Sequence, residues 1–255
     1  MQPGAYMDVA QVTLYVFWIF FAALIFYLRR EDKREGYPLV SDAGGRRPVY
    51  GIPSPPEDKT FLLRGGKTAV APARQNDRGD APVAPTAPWP GAPYVPTGNP
   101  YVDGVGPGSY ANREDVPELT LENQPIIVPL RVAKGITLDP RDPDPRGMKV
   151  IGCDGQVGGT VVEAWVDRAE ALIRYLEVEV KGARGTKRIL LPLPFALVNR
   201  PKGYVSVDAI RGAQFADAPT TAKADQVTKR EEDRIVGFFG AGTLYATPER
   251  SESIV

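Results

Sequence analysis

The chain has 255 residues, with 31 basic and 31 acidic side chains and no histidine. Zero net charge leaves no basic surplus for nucleic acid, so none is expected as a partner. The missing imidazole excludes Ser-His and Cys-His nucleophiles and removes the commonest transition-metal ligand, while the single Cys153 excludes an intrachain disulfide and fits a reducing compartment.

Val9 to Leu28 forms an uncharged apolar run in which only Gln11 and Thr13 are plainly polar. At ~1.5 Å per residue, a helix of this length crosses the ~30 Å hydrocarbon core of a bilayer. Asp8 is the one charge before it, whereas Arg29, Arg30, Lys33 and Arg34 follow it directly. Basic flanks stay on the cytoplasmic side, so the N-terminus is expected outside and residues 29–255 inside the cell. Trp18 and Tyr27, with Tyr15, are read as headgroup-level aromatics, and Arg29, Arg30, Lys33 and Arg34 as the basic membrane interface. The positive charges follow the run and Tyr27-Leu28-Arg29 is no cleavage site, so the segment reads as a retained anchor rather than a signal peptide.

Residues 31–110 hold 14 of the 26 prolines. From Ala71 to Pro100 the sequence has neither a helical nor a strand period, and proline removes backbone donors, so no regular structure is expected there. Scattered apolar residues, among them Tyr37, Ile52, Phe61, Leu62, Trp89 and Tyr94, suit a strap laid on a partner surface. Gly65-Gly66-Lys67-Thr68 fails as a phosphate loop because Phe61 stands where the motif needs glycine. Gly104 to Gly108 lacks the dinucleotide spacing and reads as a turn.

From Val128 the texture becomes β-type. Strands are expected at Val128–Val132, Met148–Gly152, Gln156–Val166, Ala171–Val180, Arg188–Leu193 and Tyr204–Ile210. Asp154-Gly155, Lys181-Gly182, Arg184-Gly185 and Lys202-Gly203 mark turns between them. Closely spaced strands of this kind predict a small, mostly antiparallel β-barrel or sandwich. Along residues 174–180, Glu177 and Glu179 share one face, and Leu176, Val178 and Val180 the other. Thr228 to Glu231 has capping-box spacing, and Ile235, Phe238, Phe239, Gly242 and Tyr245 then fall on one helical face, with Pro248 ending the helix.

Several segments together, in order, resemble a known family. They are residues 27–39 (YLRREDKREGYPL), 58–63 (DKTFLL), 96–100 (PTGNP), 104–107 (GVGP), 127–133 (IVPLRVA), 142–147 (DPDPRG), 165–168 (WVDR), 174–179 (RYLEVE), 231–233 (EED) and 242–250 (GTLYATPER). This series is similar to the H subunit of the photosynthetic reaction centre of purple bacteria and covers nearly the whole chain.

The resemblance implies a single transmembrane helix followed by a mostly β cytoplasmic domain, a PRC-type β-barrel with a C-terminal helix. It divides the chain into a periplasmic N-terminus (1–8), the span (9–28), a Pro-rich surface strap (29–110), the barrel domain with its helix (111–247) and a tail (248–255). It implies a non-enzymatic subunit of the bacterial inner, or intracytoplasmic, membrane that caps the L and M subunits. Core light-harvesting complex and membrane lipids surround that assembly. Bacteriochlorophyll, bacteriopheophytin, quinones and non-haem iron belong to the complex, and this chain binds no cofactor itself.

Reducing the secondary quinone takes two electrons and two protons, and the resemblance gives the H subunit a part in delivering those protons. By motif register Asp167, Glu170 and Arg174 match family positions near the proton path. Arg174 is expected to hold a carboxylate ionised or oriented by a charge-assisted hydrogen bond. The sequence departs from some family members after Pro117-Glu118-Leu119, where Thr120-Leu121-Glu122-Asn123-Gln124 offers no histidine. Glu122, then Glu118, are the nearest carboxylate substitutes. The alternative reading is a membrane-anchored β-barrel adaptor for another cytoplasmic protein.

Overall fold

The structure, a computed structural model, describes residues 8–37, 39, 49–72, 81–89, 91–182 and 185–251. Residues 1–7 of the expected periplasmic segment and 252–255 of the expected tail lie outside these, as do 73–80 and 90 within the Pro-rich stretch and Arg184 of one turn signal. The chain divides into two compact units, residues 1–77 with 87–92, and residues 78–86 with 93–255.

In the first unit, helix α1 (Val9–Glu31) extends three residues past the apolar run. The Asp8 carboxylate accepts from the Ala10 amide at 3.2 Å and caps it. Its two polar side chains are satisfied locally: Thr13 Oγ1 donates to the Val9 carbonyl at 2.8 Å, and Gln11 donates to the Tyr15 hydroxyl at 2.9 Å. No residue of its most apolar stretch is buried against the rest of the chain, as suits a helix made for lipid or partner helices. After a 3₁₀ turn at Asp32–Arg34 the strap follows. Strands β1 (Lys59–Leu62) and β2 (Thr68–Ala71) pair antiparallel, with Lys59 opposite Ala71. Gly65 and Gly66, at φ 76° and 75°, close this hairpin in a region open only to glycine at low cost, so the glycine pair rejected as a phosphate loop is a turn.

In the second unit the expectation of no regular structure between Ala71 and Pro100 is corrected. Strands β3 (Val83–Pro85) and β4 (Tyr94–Pro96) form a short hairpin. Its prolines are tolerated because they serve as acceptors: Thr86 N donates to the Pro93 carbonyl at 2.8 Å and Thr97 N to that of Pro82 at 2.9 Å. A single helical turn, α2 (Pro100–Asp103), follows.

The main sheet contains β5 (Ile127–Pro129), β6 (Lys149–Gly152), β7 (Val157–Asp167), β8 (Leu172–Gly182), β9 (Gly185–Pro192), β10 (Leu197–Asn199) and β11 (Tyr204–Val207). Its order is β10-β11-β6-β7-β8-β9, with β5 paired to the end of β7; only β11 and β6 run parallel. The β7–β8 hairpin is the backbone of the domain and sets Trp165 opposite Tyr175 and Glu163 opposite Glu177. Val161, Trp165, Leu176, Val178, Ile189, Leu191, Phe215 and Phe239 fill the core. The alternation expected along β8 holds for its aliphatic face, and Glu179 is exposed. Glu177, however, is buried at 4% exposure, because Arg131, Arg188 and the Trp165 indole all donate to it.

Helix α3 (Lys229–Tyr245) begins at the expected capping box: Thr228 Oγ1 accepts from the Glu231 amide at 3.2 Å, and Glu231 accepts from the Thr228 amide at 2.8 Å. It ends at Tyr245, and Pro248 opens a separate 3₁₀ turn. Glycines let α3 lie backbone to backbone on its neighbours. A Cβ at Gly242 would stand 2.2 Å from the Ala209 carbonyl oxygen, and one at Gly240 2.5 Å from that of Pro107. In an exposed helix Gly→Ala stabilises by about 1 kcal/mol. Gly242→Ala is expected to destabilise this domain by about 1–3 kcal/mol instead; a thermal midpoint that stays level or rises shows that the close approach is absent.

Candidate ionisable site at the end of the sheet

The β7–β8 turn gathers three of the predicted site residues. Asp167 closes β7 at 4% exposure, and its carboxylate accepts from the Ala169 and Glu170 amides at 2.8 and 3.1 Å, an Asx arrangement that shapes the turn. Ala171 accepts φ 54° to complete it. Arg174, early on β8, approaches both acids, Asp167 Oδ2 at 3.4 Å and Glu170 Oε2 at 3.8 Å. Asp167 is thus a buried structural acceptor, and Glu170 is the exposed carboxylate of the trio.

Glu118 and Glu122 sit on an exposed loop joined to this turn. The loop closes on itself through the Thr120 amide to the Gln124 carbonyl at 2.8 Å and the Ile126 amide to the Glu118 carbonyl at 2.8 Å. Arg168, inside the β7–β8 turn, donates its Nε to the Pro125 carbonyl at 3.0 Å and its amide to that of Ile126 at 3.0 Å. Four predicted carboxylates therefore belong to one hydrogen-bonded end of the sheet.

Two further groups were not anticipated. Tyr175, next to Arg174, points its hydroxyl into α3 and donates to Glu232 Oε2 at 2.9 Å. Burial, with the Glu232 charge beside it, pushes the phenol above its ordinary range, so it remains a donor. Burial raises the Glu232 carboxyl above the usual value; the Tyr175 bond, Arg113 and Arg174 oppose this, and the Glu118 charge adds to it. A cleft of about 640 Å³ opens here, lined by Arg113, Arg174, Tyr175, Glu232, Asp233 and Tyr110 among others. The signal for Glu232 was present in the helical period. It lies three residues before Ile235 and seven before Phe239, on the packed face rather than the solvated one.

At the other end of the chain the predicted interface residues separate. Arg29 and Arg30 are exposed at the foot of α1, beside the exposed Tyr27. Lys33 is tucked into the strap that follows α1. It is 3% exposed, donates to the Tyr50 carbonyl at 2.7 Å and to that of Pro53, and lies 5.1 Å from the Tyr37 ring centroid. Arg34 likewise turns inward, to Glu31 at 2.9 Å and to the Glu57 and Ala71 carbonyls at 2.7 and 3.0 Å. Trp18, exposed along α1, packs edge-on against Phe17 and Phe21 at 5.5 and 6.0 Å.

An apolar anchor carrying a barrel-type β domain defines the class, a membrane-anchored PRC-barrel protein, and residues 141–214 match the PRC-barrel domain model. Residues 3–132 match the model of the photosynthetic reaction centre H-chain N-terminal region. The chain belongs to the H-chain family of the photosynthetic reaction centre. Its association with the L and M subunits follows from that membership. The adaptor alternative rested on the barrel alone, and the N-terminal match removes its ground.

Proposed function

We propose that this chain caps the cytoplasmic face of the L and M subunits, stabilises their assembly and conducts protons toward the secondary quinone. Residues 1–8 lie in the periplasm, 9–28 in the inner membrane, 29–110 along the partner surface and 111–247 in the cytoplasm as the cap, with 248–255 as tail. Pigments, quinones and the iron reside in the partner subunits, and core light-harvesting helices and lipids surround the assembly. The chain performs no catalysis of its own.

The observation that carries the proton role is the joining of the Glu118–Glu122 loop, the Asp167–Glu170 turn and the Tyr175–Glu232 pair around Arg174. Exposed Glu118, Glu122 and Glu170 collect protons from bulk water. Glu232, with its raised affinity, holds a proton at a pH where an exposed carboxylate has lost it. Arg174 limits the repulsion among these acids, and Asp167 fixes the turn that presents Glu170. Large exposed apolar groups support the capping role: Ile52 is 93% exposed and Trp89 63%, as suits side chains that a partner covers.

Purification through a tag on this chain in mild detergent tests the capping role. The material is expected to show near-infrared bacteriochlorophyll absorption in stoichiometric amount. A colourless preparation contradicts it.

A further inference from the structure

The strap begins with a buried cation. Lys33 stands two residues past the end of α1, and its ammonium donates to the Tyr50 and Pro53 carbonyls beside the Tyr37 ring. Taking an ammonium out of water carries a desolvation cost that a methionine of similar length would not incur. What the ammonium adds is direction, because it draws two carbonyls onto one point. Those carbonyls bracket Gly51-Ile52. Gly51 makes the approach possible: its φ is 64°, and a Cβ there would stand 3.3 Å from Lys33 Nζ.

The pinned loop presents one side chain outward. Pro53 is buried, whereas Ile52 beside it is the most exposed large apolar side chain among the described residues. Tyr50 adds exposed apolar surface, as do Leu39 and Val49, which exchange two backbone bonds of 3.0 Å. No charged residue occurs from Val49 to Pro56; Arg46 and Arg47 precede the stretch and lie outside the described residues. A fluid bilayer accepts an apolar side chain in any direction. A fixed direction matters to a shaped pocket, where pre-ordering removes part of the entropy lost on binding. Position narrows the partner further. The loop is held within one lysine side chain of the foot of α1, where the L and M subunits of this family's complex are the neighbours.

We propose that Ile52 is an anchor that enters an apolar pocket of the L or M subunit at the cytoplasmic membrane surface, and that Lys33 is the positioning residue that aims it. Leu39, Val49 and Tyr50 rim the anchor and keep water from it. The inference rests on the capping reading and adds to it a contact that holds the strap in place. It involves none of the carboxylates assigned to proton uptake.

The test uses the whole complex in its membrane. A small diazirine amino acid replaces Ile52, and the product of irradiation is expected to join this chain to the L or the M chain. Attachment to lipid, to a light-harvesting polypeptide or to nothing overturns the proposal. Dissociation of this chain from detergent-solubilised complex, followed after dilution, measures the strength of the contact. Ile52→Ala is expected to speed it about tenfold and Lys33→Met about fivefold. The double variant is expected to dissociate no faster than Ile52→Ala, because Lys33 acts only through the anchor. Effects that multiply to about fiftyfold give Lys33 a purely structural role and overturn its assignment. An Ile52→Ala rate equal to wild type overturns the anchor. Complex that keeps its bacteriochlorophyll without that cross-link sinks the anchor and leaves the cap standing, whereas a colourless preparation sinks the cap itself.

Discussion

Proton uptake coupled to the second electron transfer slows about tenfold in Glu170→Gln, while primary charge separation keeps its rate. A positioned proton-transfer group contributes ~10²–10⁴-fold. The smaller expectation reflects Glu118, Glu122 and Glu232, which stay in place at the same end of the sheet. The amide is isosteric and the carboxylate is exposed, so the fold is unaffected. Flash-induced absorbance of a pH dye against time measures the effect, and unaltered uptake kinetics from pH 6 to 9 remove Glu170 from the route.

Glu232→Gln adds a pH signature whose sign is set by burial. Its folded-state carboxyl binds the proton more tightly than the unfolded chain does. Below the ordinary carboxylate value both states are protonated and nothing is lost. As pH rises through the window between that value and the raised one, the folded state binds more protons than the unfolded, so stability falls. The glutamine variant lacks this decline. The difference in thermal midpoint, variant minus wild type, is expected to grow in the variant's favour across that window and then level. A flat difference shows that Glu232 titrates normally.

Glu177→Leu is expected to cost about 3 kcal/mol of domain stability, the low end for breaking a buried ion pair. The carboxylate is buried at 4% exposure and takes Arg131 at 3.2 Å, Arg188 at 3.2 Å and the Trp165 indole at 3.0 Å. Removing it strands a buried indole N–H and takes the nearer of two carboxylates from Arg131, which also holds the Ala224 carbonyl at 2.6 Å ahead of α3. The two guanidiniums are partly exposed and recover water, which keeps the cost from the upper end. Glu177→Gln retains an acceptor for the indole and should cost less than half as much. Chemical denaturation of the domain in the intact complex distinguishes them; equal costs for Leu and Gln show that an acceptor for the indole contributes nothing.

The span was legible because an unbroken apolar run has few other uses, and the β7–β8 strands because alternation and flanking glycines bound them. Asp167, Glu170 and Arg174 were legible only through motif register, since charges beside a turn look alike in sequence whether solvated or buried. The burial of Glu177 was missed for a related reason: its partners Arg131 and Arg188 lie 46 and 11 residues away, and no local pattern records that. The packed position of Glu232, by contrast, was visible in the helical period. The hairpin at Val83–Pro85 and Tyr94–Pro96 was hidden by prolines that forbid donors while leaving carbonyls free to accept. The burial of Lys33 was not legible, because the Tyr50 and Pro53 carbonyls that accept from it lie 17 and 20 residues away.

The most direct measurement compares flash-driven proton uptake on the cytoplasmic side of complexes stripped of this chain and then rebuilt with it. The account predicts that uptake tied to the second electron slows on removal and recovers with wild-type chain, and only partly with Glu170→Gln. Identical uptake with and without the chain contradicts it.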